Sequence, residues 1–312
     1  MVSEAMLPRA AVKEVEARLT AAGCPDADFD ARELFRLATG RDVRLSDRPL
    51  DAAEAAKLEE LTVRRAAREP LQYLCGSWPF LDFELAVGPG VLCPRADTEV
   101  VAETAAGMLA GVEAPRVLDL CAGTGCLGLG VKRLCPAAQV VCVEKSPEAY
   151  VYLEKNTRLA LKGRGGSTEN VLDASPFEEP AFDWGMKPTR AAEPVEGDLF
   201  TYWESLPEGQ LDLIVSNPPY VPQSDLAAMH ANVRGYEPPE ALFVPDDDAL
   251  RFYRAIARAG RRMLRPGGKL YFEIYERSAG QMRLLLGEEG YTDTEVREDL
   301  NGKPRMVCSR MK

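Results

Sequence analysis

Leu211-Asp212-Leu213-Ile214-Val215-Ser216-Asn217-Pro218-Pro219-Tyr220 is an apolar run that ends abruptly in polar and proline chemistry. Leu211 to Val215 reads as a strand buried on both faces of a parallel sheet, where inside–outside alternation disappears. Two successive prolines cannot continue a central strand, because they donate no N–H to the ladder and fix φ. The chain must therefore leave the sheet at Asn217. In an open α/β sheet, the carboxyl ends of the strands are where ligands bind. Asn217 would present its side-chain oxygen there on a stiff backbone, beside the carbonyl of Pro218. Those two acceptors suit a planar NH2 group, which has two donors. Such a nitrogen is a poor nucleophile because its lone pair is delocalised. Accepting both hydrogens orients it and helps its electron density turn toward an electrophile. Tyr220 is expected to cover the flat face of an amide or base and exclude water. A plain strand followed by an Asn-Pro turn is the simpler alternative.

Upstream of this run the pattern is βαβ. Residues 117–121 read as a strand, 122–125 as a turn, 126–134 as a helix and 139–143 as a second strand followed by Glu144. Gly123 and Gly125 let the backbone turn tightly and approach a ligand, and Gly128 permits close helix–strand packing. This spacing matches G-x-G-x-x-G and is compatible with NAD. Glu144 stands at the end of the second strand, where a carboxylate can accept both ribose hydroxyls. An adenosine-containing cofactor is the expectation; a plain βαβ core with a solvated Glu144 is the alternative.

Downstream, residues 221–245 read as a long loop and a wall for the substrate. A helix over 246–264, a strand over 269–275 and a helix over 278–288 follow. Strands over 291–296 and 304–309 are joined by Asn301-Gly302, a hairpin turn signal. The parallel sheet thus ends in an antiparallel pair. Residues 157–196 read as a loop-rich insertion with a short strand near 170–172, and order resumes at Gly197-Asp198-Leu199-Phe200.

The first part of the chain has a different character. Residues 1–75 read as a separate bundle of three helices (10–22, 27–39 and 52–68), with no catalytic pattern. Residues 76–95 read as a hairpin connector: alternation over 83–87 meets a break at Gly88-Pro89-Gly90. Residues 96–312 read as a further, larger domain, opening with a helix over 96–109 capped by Asp97 or Thr98.

Composition bounds the partners. The chain has 312 residues and a formal charge of −11, which argues against the clustered lysines and arginines of a long nucleic-acid footprint. No apolar run is long enough to span a membrane, and the charged first twenty residues lack a signal core. Eight cysteines include no C-x-x-C pair and accompany a single histidine, His230, so no metal is expected. Several, such as Cys142, sit in apolar runs as small hydrophobes. A reduced, cytoplasmic protein is expected, with His230 on a surface or loop.

Taken together, Ser216-Asn217-Pro218-Pro219-Tyr220 after one strand and Gly123-Thr124-Gly125 after another resemble class I S-adenosylmethionine-dependent methyltransferases that modify planar NH2 groups. Arg68-Glu69-Pro70-Leu71-Gln72-Tyr73-Leu74, Pro94-Arg95-Ala96-Asp97-Thr98-Glu99, Tyr236-Glu237-Pro238 and Asp299-Leu300-Asn301-Gly302-Lys303-Pro304-Arg305 narrow the resemblance to the HemK/PrmC family. The resemblance covers nearly the whole chain. It implies an α/β class I methyltransferase fold: a Rossmann-like seven-stranded mixed sheet with a C-terminal antiparallel hairpin, plus a small N-terminal helical bundle that docks substrate. It implies S-adenosyl-L-methionine as cofactor, held by Asp119, Cys121, Ala122, Gly123, Thr124, Gly125, Glu144, Asp198, Leu199 and Asn217. It implies Asn217, Pro218, Pro219 and Tyr220 as substrate-binding residues, with Asn217, Pro218 and Tyr220 catalytic. The implied reaction is N5-methylation of the glutamine amide in the Gly-Gly-Gln motif of peptide chain release factors. The expected enzyme is a cytoplasmic monomer that binds neither nucleic acid nor membrane.

The chain departs from the family at several points. Cys121-Ala122 opens the loop where glycine-rich variants are usual. Leu199 stands where some relatives place an aromatic residue against adenine. Glu273-Ile274-Tyr275 replaces the usual Glu-Ile-Gly, and the insertion before Gly197 is long. Two other readings remain at this point: an amino-group N-methyltransferase of RNA or DNA, and an NAD-binding module without methyl transfer. The second leaves Asn217 to Tyr220 unexplained.

Overall fold

The computed structural model describes residues 2–159, 192–299 and 302–312. The strand expected near 170–172, most of the 157–196 insertion and Asn301 of the expected turn lie outside the described residues. The chain divides into two compact units: Met1–Gly76 with Met229–Tyr236, and Ser77–Ala228 with Glu237–Lys312.

In the first unit, α1 (Pro8–Ala21), α2 (Ala27–Thr39) and α3 (Ala52–Ala66) pack together, followed by a single helical turn, α4 (Leu71–Cys75). Their boundaries follow local chemistry. Pro8 opens α1, Gly40 ends α2 in the left-handed region at φ 68°, and Asp51 with Glu54 forms a capping box on α3. Val15, Leu19, Leu34, Phe35 and Leu58 fill the core. Within that core Arg65 pairs with Asp30 at 2.8 Å. Burial pushes the Asp30 carboxyl up, and Arg65 opposes this. Tyr236 belongs to this unit and donates its hydroxyl to the Ala67 carbonyl at 2.8 Å.

The second unit opens with a hairpin, β1 (Ser77–Phe80) and β2 (Phe83–Ala86). The expected break at Gly88-Pro89-Gly90 is not its turn. The chain reverses at Leu81-Asp82, with Leu81 in the left-handed region at φ 51°. Phe80 and Phe83 meet edge-to-face across that turn at 5.8 Å and pin the register. The elements that follow are α5 (Ala96–Gly107), β3 (Arg116–Leu120), α6 (Cys126–Leu134), β4 (Gln139–Glu144), α7 (Pro147–Leu159), β5 (Glu193–Glu196) and β6 (Leu211–Ser216). After them come β7 (Val221–Pro222), β8 (Phe243–Val244), α9 (Arg251–Met263), β9 (Leu264–Glu273), α10 (Ala279–Glu288), β10 (Thr292–Glu298) and β11 (Pro304–Arg310). The short helix α8 (Ala231–Tyr236) lies in the segment assigned to the first unit.

Among the described residues, seven strands form one sheet in the order β10-β11-β9-β6-β3-β4-β5. The pairs from β9 to β5 are parallel, and β11 runs antiparallel to both β9 and β10. This is the seven-stranded mixed sheet of a class I methyltransferase. Both faces are covered, which explains the unbroken apolar runs. Val117, Leu213 and Val215 pack on one side with Val101 and Leu129, while Leu118, Ile214 and Phe272 pack on the other with Tyr253, Ile256 and Met282. Two expectations shift. The helix expected from residue 246 starts at Arg251, because Asp248 closes a turn onto Pro245 and its side chain receives Arg254. Residues 193–196, read as loop, are the edge strand β5.

Candidate active site

The carboxyl ends of β6, β3, β4 and β5 border one cavity of about 460 Å³. Its lining includes Asp119, Cys121, Ala122, Gly123, Thr124, Glu144, Asp198, Leu199, Asn217 and Pro219 from the sequence-derived set. Gly125 is outside that lining. Pro218 is buried outside the lining, and Tyr220 borders a second cleft with Tyr275 and Arg277.

The loop after β3 is built by backbone geometry. Gly123 and Gly125 adopt φ 55° and 81°, and a Cβ at Gly125 would lie 2.6 Å from Leu153 Cδ1. A Cβ at Gly128 would lie 2.6 Å from Cys142 Sγ and 2.9 Å from Asp119 Oδ2. Both sites therefore exclude a side chain for packing reasons. Cys121 is the exception, a non-glycine at φ 62°, a conformation that costs about 1 kcal/mol for an L-residue. Asn156 secures the loop from beneath. Fully buried on α7, it donates to the carbonyls of Thr124 (2.9 Å) and Ala86 (3.0 Å) and accepts from Ala86 N–H (2.7 Å). The hint in the sequence was an amide on the buried stripe of a helix, beside Ala149 and Leu153.

Three carboxylates surround this loop. Glu144 accepts the N–H groups of Gly123 (2.8 Å), Lys145 (2.8 Å) and Ser146 (2.7 Å), which fixes its orientation at the tip of β4. Asp119 accepts the Gly128 N–H at 2.8 Å through Oδ2, and Oδ1 is buried with no partner among the described residues. Burial pushes the Asp119 carboxyl up to about 8, against the Gly128 hydrogen bond and with help from nearby Glu144. Burial also raises Asp198, but Lys145 at 2.9 Å and the Phe200 N–H outweigh it and hold that carboxyl below its ordinary range.

The corner after β6 is built by side chains. Asn217 faces the cavity, and its carboxamide bonds to no other described residue. Ser216 donates to the Leu120 carbonyl at 2.5 Å and ties the corner to β3. Tyr220 donates to Glu273 Oε1 at 3.1 Å, and Thr98 donates to Glu273 Oε2 at 3.0 Å. Thr98 thus serves the corner rather than capping α5, whose N-cap is Arg95. Burial pushes Glu273 up, and the Thr98 and Tyr220 hydroxyls and Arg305 counter it. The Tyr220 ring stacks on Tyr275 at 6.3 Å instead of covering the cavity. Arg95 pairs with buried Glu237 at 2.5 Å, and Glu237 also accepts the Cys93 N–H at 3.2 Å. Two motifs quoted separately from the sequence are in fact one ion pair, which neither reveals alone.

These donors and acceptors fit S-adenosyl-L-methionine. With three of its roughly four acceptor positions taken, Glu144 keeps one on Oε2 for a ribose hydroxyl, the unpartnered Asp119 Oδ1 suits a hydrogen-bond donor, and the glycines let backbone approach closely. The PrmC N-terminal domain family matches residues 10–76, and the TRM5/TYW2 methyltransferase domain family matches residues 99–165. A release factor glutamine methyltransferase of Bacteroides thetaiotaomicron is 33% identical over 297 residues, covering 95% of this chain and 93% of that one. The same-named protein of Geobacter sulfurreducens is 37% identical over 268 residues, covering 85% and 81%. That of Streptomyces coelicolor is 33% identical over 305 residues, covering 96% and 97%. Similarity of this extent, over a chain with this sheet and this cavity, shows that the protein belongs to the release factor glutamine methyltransferase family of S-adenosyl-L-methionine-dependent methyltransferases.

Proposed function

We propose that the protein methylates the side-chain nitrogen N5 of the glutamine in the Gly-Gly-Gln motif of peptide chain release factors. The observation that carries this reading is Asn217, uncommitted and lining the same cavity as the Gly123–Gly125 loop and Glu144. S-adenosyl-L-methionine supplies an electrophilic methyl group when bound; Glu144, Asp119, Asp198, Leu199 and residues 121–125 would hold it. The Asn217 oxygen and the Pro218 carbonyl accept the two amide hydrogens of the substrate, so its nitrogen is oriented and polarised for attack. Transfer of that methyl to the oriented nitrogen would form the N–C bond at the expense of the cofactor's S–C bond, and the nitrogen would then release a proton to water. No side chain has to act as a base beforehand. Pro219 walls the acceptor pair, and Tyr220 stiffens it through Glu273. The helical unit, without a catalytic pattern of its own, is the docking surface for the release factor in this reading.

Incubation with a purified release factor and S-adenosyl-L-methionine, followed by mass spectrometry of the Gly-Gly-Gln peptide, tests the proposal. One added methyl on the glutamine side chain is expected. A methyl found elsewhere, or none with cofactor shown to be bound, would overturn it.

A further inference from the structure

The second cleft beside Tyr220 has a volume of about 250 Å³ and shares no lining residue with the main cavity. The acceptor corner borders both spaces: Asn217 and Pro219 line the cavity, Tyr220 and Pro222 the cleft. The hydroxyls at the base of the cleft are already committed. Buried Tyr253 donates to the Glu273 carbonyl at 2.9 Å, and buried Ser278 donates to the Tyr275 carbonyl at 2.8 Å. The remaining walls are apolar: the stacked rings of Tyr220 and Tyr275, with Ala249 and Leu250 from the segment that leads into α9. Free polar groups stand at the rim. The exposed Gln281 amide bonds to no other described residue. Arg277 lies over the Tyr275 ring at 5.6 Å and comes only within 4.0 Å of Asp225. An apolar cleft edged by an amide and a guanidinium fits an uncharged, apolar side chain of a peptide, whose backbone carbonyls the rim can donate to.

Reach says which peptide comes here. This step rests on the function proposed above, which brings a glutamine amide to Asn217. Tyr220 follows Asn217 by three residues, so the backbone at the cleft wall is at most about 11 Å from Asn217, the extended length of three residues. An extended substrate chain covers the same distance in about three residues. We infer that the cleft is a specificity subsite for an apolar side chain of the release factor, within about three residues of the methylated glutamine. The Tyr220 ring, turned from the cavity onto Tyr275, then serves the neighbour of the glutamine rather than the glutamine itself. Tyr275 stands where Glu-Ile-Gly is usual, so the second ring of this subsite is a feature of this chain.

A double-mutant cycle in steady-state methylation of a whole release factor tests the inference. On the substrate, each residue within about three of the glutamine is replaced in turn by alanine. On the enzyme, Ala249→Phe fills the cleft from a wall that the main cavity does not share. One apolar substrate position should raise KM about fivefold to tenfold on replacement, the cost of losing a partly buried apolar side chain. Ala249→Phe should raise KM for the unaltered release factor by a similar factor, and the two changes together should cost no more than one alone. The loss should fall on KM rather than kcat, and calorimetry should give the same S-adenosylhomocysteine affinity with and without Ala249→Phe. Thermal unfolding shows whether the variant folds, and Gln281→Trp, at the exposed rim, carries the test if it does not. If no substrate position loses its effect when the cleft is filled, or if filling it leaves KM as it was, the subsite is overturned while the methylation reading stands. If the unaltered protein does not methylate the glutamine, both fall together.

Discussion

The carboxyl ends of β3 and β6 are neighbours in the sheet, yet they are held in opposite ways. The loop after β3 is held through its backbone groups, which bond to other backbone and to the side chains of Asn156, Glu144 and Asp119. Ala122 N–H bonds to Val143, Gly125 N–H to Ala122, and Gly123 and Gly128 N–H groups to two carboxylates. The corner after β6 contains two prolines with no N–H to give, and side chains brace it instead: Ser216, Tyr220, Thr98 and Glu273. A backbone cradle suits a cofactor that must be gripped along its length. A side-chain corner suits a reacting group that needs a fixed, uncommitted acceptor. Binding and turnover should therefore separate between the two places.

The largest effect tests that separation at the corner. Asn217→Ala should lower kcat about a hundredfold or more, as loss of a transition-state hydrogen bond does, while S-adenosylhomocysteine affinity falls far less. An equal loss of both in steady-state kinetics and calorimetry would merge the two regions. The converse variant, Glu144→Ala, removes a charged acceptor and should weaken S-adenosylhomocysteine binding by roughly tenfold to a hundredfold. Its turnover at saturating cofactor should remain close to that of the unaltered enzyme.

Asp119 gives a smaller effect, read through pH. Its folded carboxyl titrates near 8 because it is buried, whereas an unfolded aspartate titrates near 3.9. Between these values the folded state holds a proton that the unfolded state has lost. The stability Asp119 contributes is thus complete below about pH 4 and is lost as pH rises toward 8, by at most about 1.4 kcal/mol per unit. Urea unfolding across this window should show a shallower slope for Asp119→Asn; an identical slope would show that another group governs it. The smallest effect sharpens the comparison. Tyr275→Phe removes the hydroxyl bond to Asp225 but keeps the stack on Tyr220. Turnover should fall by only about twofold to fivefold, in keeping with one half-exposed hydrogen bond. A loss matching that of Asn217→Ala would mean the corner is braced from Tyr275 rather than from Glu273.

What could be read in the sequence follows the same division. The β3 loop was legible because positive φ and close approach demand glycine at fixed spacing, and those letters are local. The exit at Asn217 was legible because consecutive prolines forbid continuation of a central strand. The supports of the corner were not, since Thr98 meets Glu273 across 175 residues and Arg95 meets Glu237 across 142. Asn156 reaches Ala86 across 70 residues. The hairpin turn was misplaced because Leu81 adopts a conformation that leucine seldom takes, while Gly88-Pro89-Gly90 looked the better turn. The edge strand β5 was missed because four residues with a proline at the second carry little periodicity.

The chain passes between the two compact units at three peptide bonds, following residues 76, 228 and 236. Deleting everything up to Gly76 would therefore not yield a clean catalytic fragment. The remaining polypeptide would keep residues 229–236, with helix α8, whose native neighbours had been cut away, including the Ala67 carbonyl that receives the Tyr236 hydroxyl. Anyone wishing to separate the halves by protein engineering would have to replace residues 229–236 with a neutral bridge as well as shorten the amino terminus.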